Sequence, residues 1–385
     1  MTKTTAGSRH RSADEREHER LIHLARQDPD SGAALVRVLD ERAPHHHGRS
    51  TASTNRLRAR VFIEFGDLGL PSAAMPFVLE ELESGLDPST VAAAGRALLG
   101  ATEPLPTDAG PLLVSAIERL RGNDEEVRFL AANVGTILPT AIEDLTGTIE
   151  QLGPSAAPAR AALAELLEHH QCCFNPAVRT RLEAALHRLG SEDRPPCCHA
   201  PSDTHEPSTA PGGNDATLTT DLTTLVLEDQ DGNRASFAER FHGRATAITF
   251  FYTRCTNPQR CSLTVARLAS LARRIDDARL DCGVAGISYD PRYDRPDRLR
   301  TYGAERGMTF SPRCSLLRTI GPFEPLIDAL DLGVGFGPVT VNQHRLDLMI
   351  VDSDLCVRAH RTRRLWSENG VLADLNAATE LIPAR

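Results

Sequence analysis

Two cysteines in the run FFYTRCTNPQRCS, residues 250–262, have the types and spacing that most directly predict chemistry. The run begins with apolar, β-forming residues, so Cys255 is expected in the loop after a buried strand and Cys261 at the start of the next helix. A thiolate at a helix N-terminus meets the positive end of the helix dipole, which lowers its pKa. Two thiols so placed can form a disulfide, and so act as a catalytic redox pair, or share a soft metal ion.

The other cysteines also favour metal or redox chemistry. The chain has nine cysteines and no export signal, and the odd number excludes complete pairing within the chain. Cys197, Cys198 and His199 predict a second metal site, with a solvated segment that tolerates cysteine as the alternative. Cys282 is expected in mid-strand, within the hydrophobic core. No role is assigned to the remaining four, which are Cys172, Cys173, Cys314 and Cys356.

The composition is that of a globular protein with two domains. The chain has 385 residues, of which 41% are hydrophobic and 25% charged. Its formal net charge of −9 argues against a nucleic-acid partner, because such proteins usually present a basic face. No run approaches 18 apolar residues and no signal-peptide core is visible, so we expect no membrane-spanning segment and a cytoplasmic location.

The elements that must position the two cysteines form an α/β pattern over residues 216–385. The pattern opens with a hairpin whose turn is at Asp231-Gly232. Strands are predicted at 245–252, 282–288, 346–351 and 356–361, and helices at 261–274, 295–306 and 368–381. This order predicts a thioredoxin-like fold.

A different, all-α pattern covers residues 17–190. Apolar residues recur at helical spacing, and helices begin at the N-cap residues Asp87, Asn123 and Asn175, each followed closely by valine. Recurring paired helices predict HEAT-like repeats, with an ordinary helical bundle as the alternative. Stacked repeats offer an extended surface for a protein partner. Residues 1–16 are expected to be disordered, and residues 191–215 form a Cys/Pro/Ser-rich linker.

Residues 216–383 resemble the Sco/SenC family, thioredoxin-fold proteins that bind copper for cytochrome oxidase assembly. FFYTRC resembles the strand that ends at the family's first metal cysteine, and ISYDPRYDRPDRL, residues 287–299, resembles its DPxxDTPxxL stretch. The resemblance implies copper, as Cu(I) or Cu(II), with Cys255, Cys261 and His344 as its ligands. Asp290 and Arg254 would then orient the ligands or tune their charge. The family has three residues between its cysteines, whereas this chain has five.

Three functions remain open. The first is a copper metallochaperone or thiol-redox role in copper delivery, with a cytochrome oxidase or another cuproenzyme as the recipient. The second is a thiol–disulfide oxidoreductase, in which Cys255 and Cys261 would be catalytic. The third is a non-enzymatic helical-repeat scaffold with a degenerate redox domain. Copper titration separates the first from the third, and an insulin reduction assay separates the second from both.

Overall fold

The computed structural model describes residues 13–127, 138–170, 173–190 and 220–380. The chain divides into two compact units. The first comprises residues 1–45, 49–78 and 87–190, and the second comprises residues 46–48, 79–86 and 191–385. Within the described ranges, no helix combines the length and the apolar character needed to cross a membrane. The predicted linker at 191–215 lies outside the described residues.

The N-terminal region is helical, as predicted. Its described helices, in chain order, are α1 (Ala13–Gln27), α2 (Ser31–Leu39), α3 (Thr51–Leu68), α4 (Met75–Ser84), α5 (Pro88–Ala97), α6 (Ala109–Leu120), α7 (Ala141–Leu152), α8 (Ala159–His170) and α9 (Pro176–Arg188). Because α1 begins at Ala13, residues 13–16 are helical and do not belong to the disordered segment expected there.

N-cap side chains explain where several of these helices begin. Asp87 accepts a hydrogen bond from the backbone of Thr90 at the start of α5, and Asn175 does the same for Val178 at α9. The third helix start, predicted at Asn123, is wrong, because residues 123–127 are not helical. Residues 128–137 lie outside the described residues. In the first unit α3 packs on α5, α5 on α7, and α7 on α9, while α6 packs on α8. Such alternate packing is typical of stacked helix pairs, and the HEAT-like assignment stays a prediction.

The second unit is built on a seven-stranded mixed sheet. Its strands are β1 (Val226–Asp229), β2 (Arg234–Ser236), β3 (Ala245–Phe251), β4 (Cys282–Ser288), β5 (Cys314–Thr319), β8 (Asp347–Val351) and β9 (Val357–Thr362), while β6 (Val334–Phe336) and β7 (Val341–His344) form a separate pair. The order across the sheet is β2-β1-β5-β4-β3-β8-β9. β3, β4 and β5 are parallel, and β8 runs antiparallel to β3.

Helices connect and cover this sheet. They are α10 (Thr220–Thr223), α11 (Phe237–Phe241), α12 (Leu263–Asp277), α13 (Pro296–Glu305), α14 (Glu324–Leu330) and α15 (Glu368–Glu380). α12 and α15 pack on each other and on β3. All seven residues of β3 and all seven of β4 are buried, as expected for parallel strands covered on both faces. The β3–α12–β4 unit, the β8–β9 hairpin and the closing helix confirm the thioredoxin-like α/β fold.

The sequence pattern missed the segment between α13 and β8. It contains β5, α14 and the β6–β7 pair, none of which was predicted. β5 reads CSLLRT and mixes polar with apolar residues, so no period marks it as a strand. It becomes a strand because β4 and β1 pair with it from either side. This placement assigns Cys314, which begins β5, to the core.

Candidate metal site

The two cysteines of the 250–262 run lie where β3 ends and α12 begins. The last residues of β3 and β4 are paired, so both strands end at the same edge of the sheet. Cys255 follows β3 in the loop and is half-buried. Cys261 is fully buried in a wide helical turn, Pro258–Ser262, that leads into α12. The Asn257 side chain caps this turn by accepting a hydrogen bond from the backbone of Gln259.

His344 reaches the same place from β7. It is the last residue of that strand, just ahead of β8, and is only 4% exposed, so it lies inside the unit. Its ring packs edge-on against Tyr252, with 5.6 Å between ring centroids, and lies 5.5 Å from the ring of Tyr289. Its Nδ1 lies 3.1 Å from the carbonyl oxygen of Arg345. Since a carbonyl only accepts, Nδ1 carries the proton and Nε2 is left as the electron-pair donor.

The three predicted ligands converge. His344 Nε2 lies 3.5 Å from the sulfur of Cys261 and 3.9 Å from the sulfur of Cys255. All three donor atoms lie within 4.8 Å of one another, and they form the group in the described residues that could hold a metal ion. Donors on a three-coordinate ion with bonds of roughly 2.3 Å stand about 4 Å apart, so this spacing fits a shared metal. Two sulfurs and one imidazole nitrogen suit a soft ion.

In the metal-free site the negative charge lies on Cys255, the more exposed of the two cysteines. A hydrogen bond from the Cys261 thiol lowers the pKa of Cys255 to about 3. Burial raises the pKa of Cys261, although it lies at the start of the helix, where the dipole was expected to lower it. Desolvation therefore outweighs the dipole at Cys261. The metal-free dithiol holds one thiolate, on Cys255, and one thiol, on Cys261.

This asymmetry predicts selective alkylation. A thiolate reacts with iodoacetamide and a thiol does not, so the labelling rate of Cys255 should stay nearly constant from pH 5 to pH 8. An ordinary cysteine, with a pKa near 8.5, should speed up by several hundred-fold over that range. Burial raises the pKa values of Cys282 and Cys314 to about 11, so both should label slowly throughout. The measurement is peptide mass mapping of protein labelled at each pH.

The control for this experiment is Cys255→Ser, which should abolish the pH-independent labelling. A labelling rate at Cys255 that rises tenfold per pH unit would contradict the assignment of the thiolate.

The described partners of Arg254 and Asp290 lie around the three ligands, and their role in orienting the ligands or tuning charge stays a prediction. Arg254 pairs with Asp290 through a hydrogen bond of 3.1 Å and also donates to the carbonyl of Val339. Its guanidinium stacks on the ring of Tyr293, 4.2 Å from the centroid. Arg254 therefore ties the loop after β3 to the loop after β4, and any effect on the ligands is indirect.

The residue that braces these two loops most directly is Asp294, whose role the sequence did not reveal. It is fully buried and accepts hydrogen bonds from the backbone and hydroxyl of Thr253 and from the hydroxyl of Ser288. Burial raises the pKa of Asp294. In the sequence, the only indication that Asp294 matters was its place in the DPRYDRP run, residues 290–296.

Among the described residues, no other cysteine belongs to the Cys255–Cys261–His344 group. Cys282 begins β4 and is buried, which confirms its expected place in the core. Cys356 is half-buried just ahead of β9, and Cys173 is exposed. The second predicted metal site, Cys197, Cys198 and His199, lies outside the described residues, as does Cys172.

Comparison with known proteins found similarities to one family, and the family model matches within the second unit. Residues 222–314 match the SCO1/SenC family model. A search of curated proteins gave no match. Among solved structures, Bradyrhizobium japonicum ScoI with copper bound is 22% identical, over 42% of this chain and 99% of that chain, with a TM-score of 0.34. Yeast Sco1 with copper bound is 19% identical, over 42% and 89%, with a TM-score of 0.34. A SCO1/SenC family lipoprotein from Bacillus anthracis is 18% identical, over 43% and 96%, with a TM-score of 0.38.

The family match includes both cysteines and ends before β7, so His344 is assigned to the site by its distances alone. The match covers about a quarter of the chain, and the helical N-terminal region lies beyond it. Over residues 222–314, the second unit of this chain is therefore similar to the SCO1/SenC family.

Proposed function

We propose that this protein binds copper at Cys255, Cys261 and His344 and takes part in copper delivery. The observation that carries the proposal is the convergence of the three donor atoms within 4.8 Å. Soft thiolates select Cu(I), and the imidazole nitrogen completes a three-coordinate site or supports Cu(II). The match of residues 222–314 to the SCO1/SenC family adds support, since two of the three ligands lie inside it.

The recipient of the copper is proposed by resemblance. Two of the solved structures named above are Sco proteins with copper bound. Another similar structure, BsSco, is a member of the Sco family of cytochrome c oxidase assembly proteins. We infer that the recipient is a cytochrome oxidase or another cuproenzyme, and that the helical N-terminal region contacts a protein partner. The cytoplasmic location stays a prediction, which cell fractionation would test.

Titration of the metal-free protein with Cu(I) tests the proposal. Reduced protein should bind about one copper ion per chain, because two thiolates and one imidazole form a single soft site. Oxidised protein should bind much less, because a Cys255–Cys261 disulfide removes both thiolates. Peptide mass mapping identifies the disulfide, and competition with a Cu(I) chelator measures binding. Equal uptake by the oxidised and reduced forms would contradict a shared site.

Thiol–disulfide exchange is a second candidate, favoured by the lowered pKa of Cys255. The Cys255 thiolate would attack a substrate disulfide and release one thiolate, and Cys261 would then displace the second and leave a Cys255–Cys261 disulfide. Two electrons pass from the dithiol to the substrate. An insulin reduction assay with glutathione as the reductant tests it, and reduction that stops with Cys255→Ser would support it.

A further inference from the structure

The loop between the two cysteines makes contacts with residues 79–86, which belong to the same compact unit. Arg260, next to Cys261, places its Nη1 3.2 Å from a carboxylate oxygen of Glu80. Its Nε donates to the hydroxyl of Ser84 at 3.1 Å. Asn257, in the same loop, donates from its side chain to the backbone carbonyl of Ser84 at 2.7 Å. Two of the five residues between the cysteines therefore bind a segment distant in sequence.

Arg260 also binds the third ligand. Its Nη1 donates to the backbone carbonyl of His344 at 2.8 Å. Arg260 is thus the neighbour of Cys261 in the chain, and its guanidinium binds the backbone of His344 as well as Glu80 and Ser84. A fixed fork of donors suits this task, because each N–H direction is set by the plane of the group.

The environment of Arg260 makes this arrangement rigid. The side chain of Glu80 is 1% exposed and that of Arg260 is 13% exposed. The other carboxylate oxygen of Glu80 accepts from Arg363 at 2.8 Å. A buried carboxylate needs compensating charge and hydrogen bonds, and Glu80 receives both from two guanidinium groups. Movement of Arg260 away from Glu80 would leave buried charge less well compensated, so its position is strongly favoured.

We propose that Arg260 is a positioning residue for the metal ligands, and that Glu80 and Ser84 hold it in place as an intrachain clamp. The clamp sets the distance between Cys261 and His344 by fixing the backbone at both, and it sets the spacing of the two sulfurs by fixing the loop that joins the cysteines. Residues 79–86 lie outside the SCO1/SenC match, and so the site depends on residues that the family model does not cover. The effect on copper rests on the proposed function, whereas the effect on the spacing of the two sulfurs does not.

Three variants of the full-length protein test the clamp. Arg260→Gln removes the charge and the fork of donors. Ser84→Ala is the smaller change and removes the hydroxyl that accepts from Arg260 and donates to the backbone carbonyl of Glu80. Glu83→Gln is the matched control, because Glu83 lies in the same segment and pairs with Arg364, away from the cysteine loop. Each variant is measured by Cu(I) competition, by melting temperature, and by the equilibrium of its Cys255–Cys261 disulfide with a glutathione buffer.

We expect Arg260→Gln to weaken Cu(I) binding by about tenfold or more, the usual effect of losing a group that orients metal ligands. It should also make the metal-free disulfide easier to reduce, because a looser loop lowers the effective concentration of one thiol near the other. Ser84→Ala should change Cu(I) affinity and the disulfide equilibrium in the same directions as Arg260→Gln, but by less. Glu83→Gln should change neither the affinity nor the equilibrium.

Equal effects of Arg260→Gln and Glu83→Gln on both quantities would overturn the clamp, whatever their melting temperatures. If Arg260→Gln does not fold, Ser84→Ala decides, and no shift in its disulfide equilibrium would overturn the clamp. If the unaltered protein binds no copper, the proposed function fails, and the disulfide equilibrium alone then decides for or against the clamp.

Discussion

Protein carrying both Cys255→Ser and Cys261→Ser should be purified without copper from copper-supplemented cells, whereas the unaltered chain should carry about one ion. The thiolates supply the soft ligands that Cu(I) requires, and a serine hydroxyl is neither soft nor ionised at neutral pH. The remaining imidazole of His344 cannot hold Cu(I) against cellular thiols. The measurement is elemental analysis of the purified protein, expressed as copper per chain.

The matched control for this pair is Cys314→Ser. Cys314 is buried at the start of β5, so the substitution makes the same chemical change in a core position away from the ligands. It should retain copper despite some loss of stability. Copper that stays with the double variant would contradict the proposed site and direct attention to Cys197, Cys198 and His199.

His344→Ala should affect both the metal and the fold. Cu(I) binding should largely persist, because two thiolates already satisfy a soft ion, whereas Cu(II) binding should fall sharply, because Cu(II) prefers nitrogen donors and more ligands. The ring fills a buried space between Tyr252 and Tyr289 and donates to the Arg345 carbonyl. Its loss should therefore cost about 2 kcal/mol of unfolding free energy in the metal-free protein.

Two measurements on one variant separate these effects. The melting temperature of the metal-free protein reports the packing, and the Cu(II)–thiolate absorption reports the ligand. His360→Ala is the control. His360 lies on β9 and pairs with Asp347 of β8, so this variant should leave the absorption unchanged. Unchanged absorption in His344→Ala, together with a large drop in melting temperature, would make His344 structural and leave the site with two ligands.

Local sequence patterns were sufficient to predict the strands and the loop that position the two cysteines. The apolar run before Tyr252 and the one from Cys282 to Ser288 predicted β3 and β4 to within one residue, because buried parallel strands are continuously apolar. The loop position of Cys255 followed from the end of β3. The N-caps Asp87 and Asn175 predicted the starts of α5 and α9, because capping is a contact between neighbours in the chain.

Other features depended on contacts between distant segments, which no local pattern encodes. β5 is a strand because β1 and β4 flank it. His344 is buried because β7 places it between two tyrosines, which its position just ahead of a late strand did not reveal.

The sequence by itself determined the kind of chemistry, through two cysteines at a strand–helix junction and a histidine before a late strand. The tertiary structure alone decided that the three donors converge, that Cys255 carries the thiolate, and that Glu80 and Ser84 hold Arg260. The physical reason is the same in each case. Burial and charge compensation depend on which surfaces pack together, and residues far apart in the chain supply those surfaces.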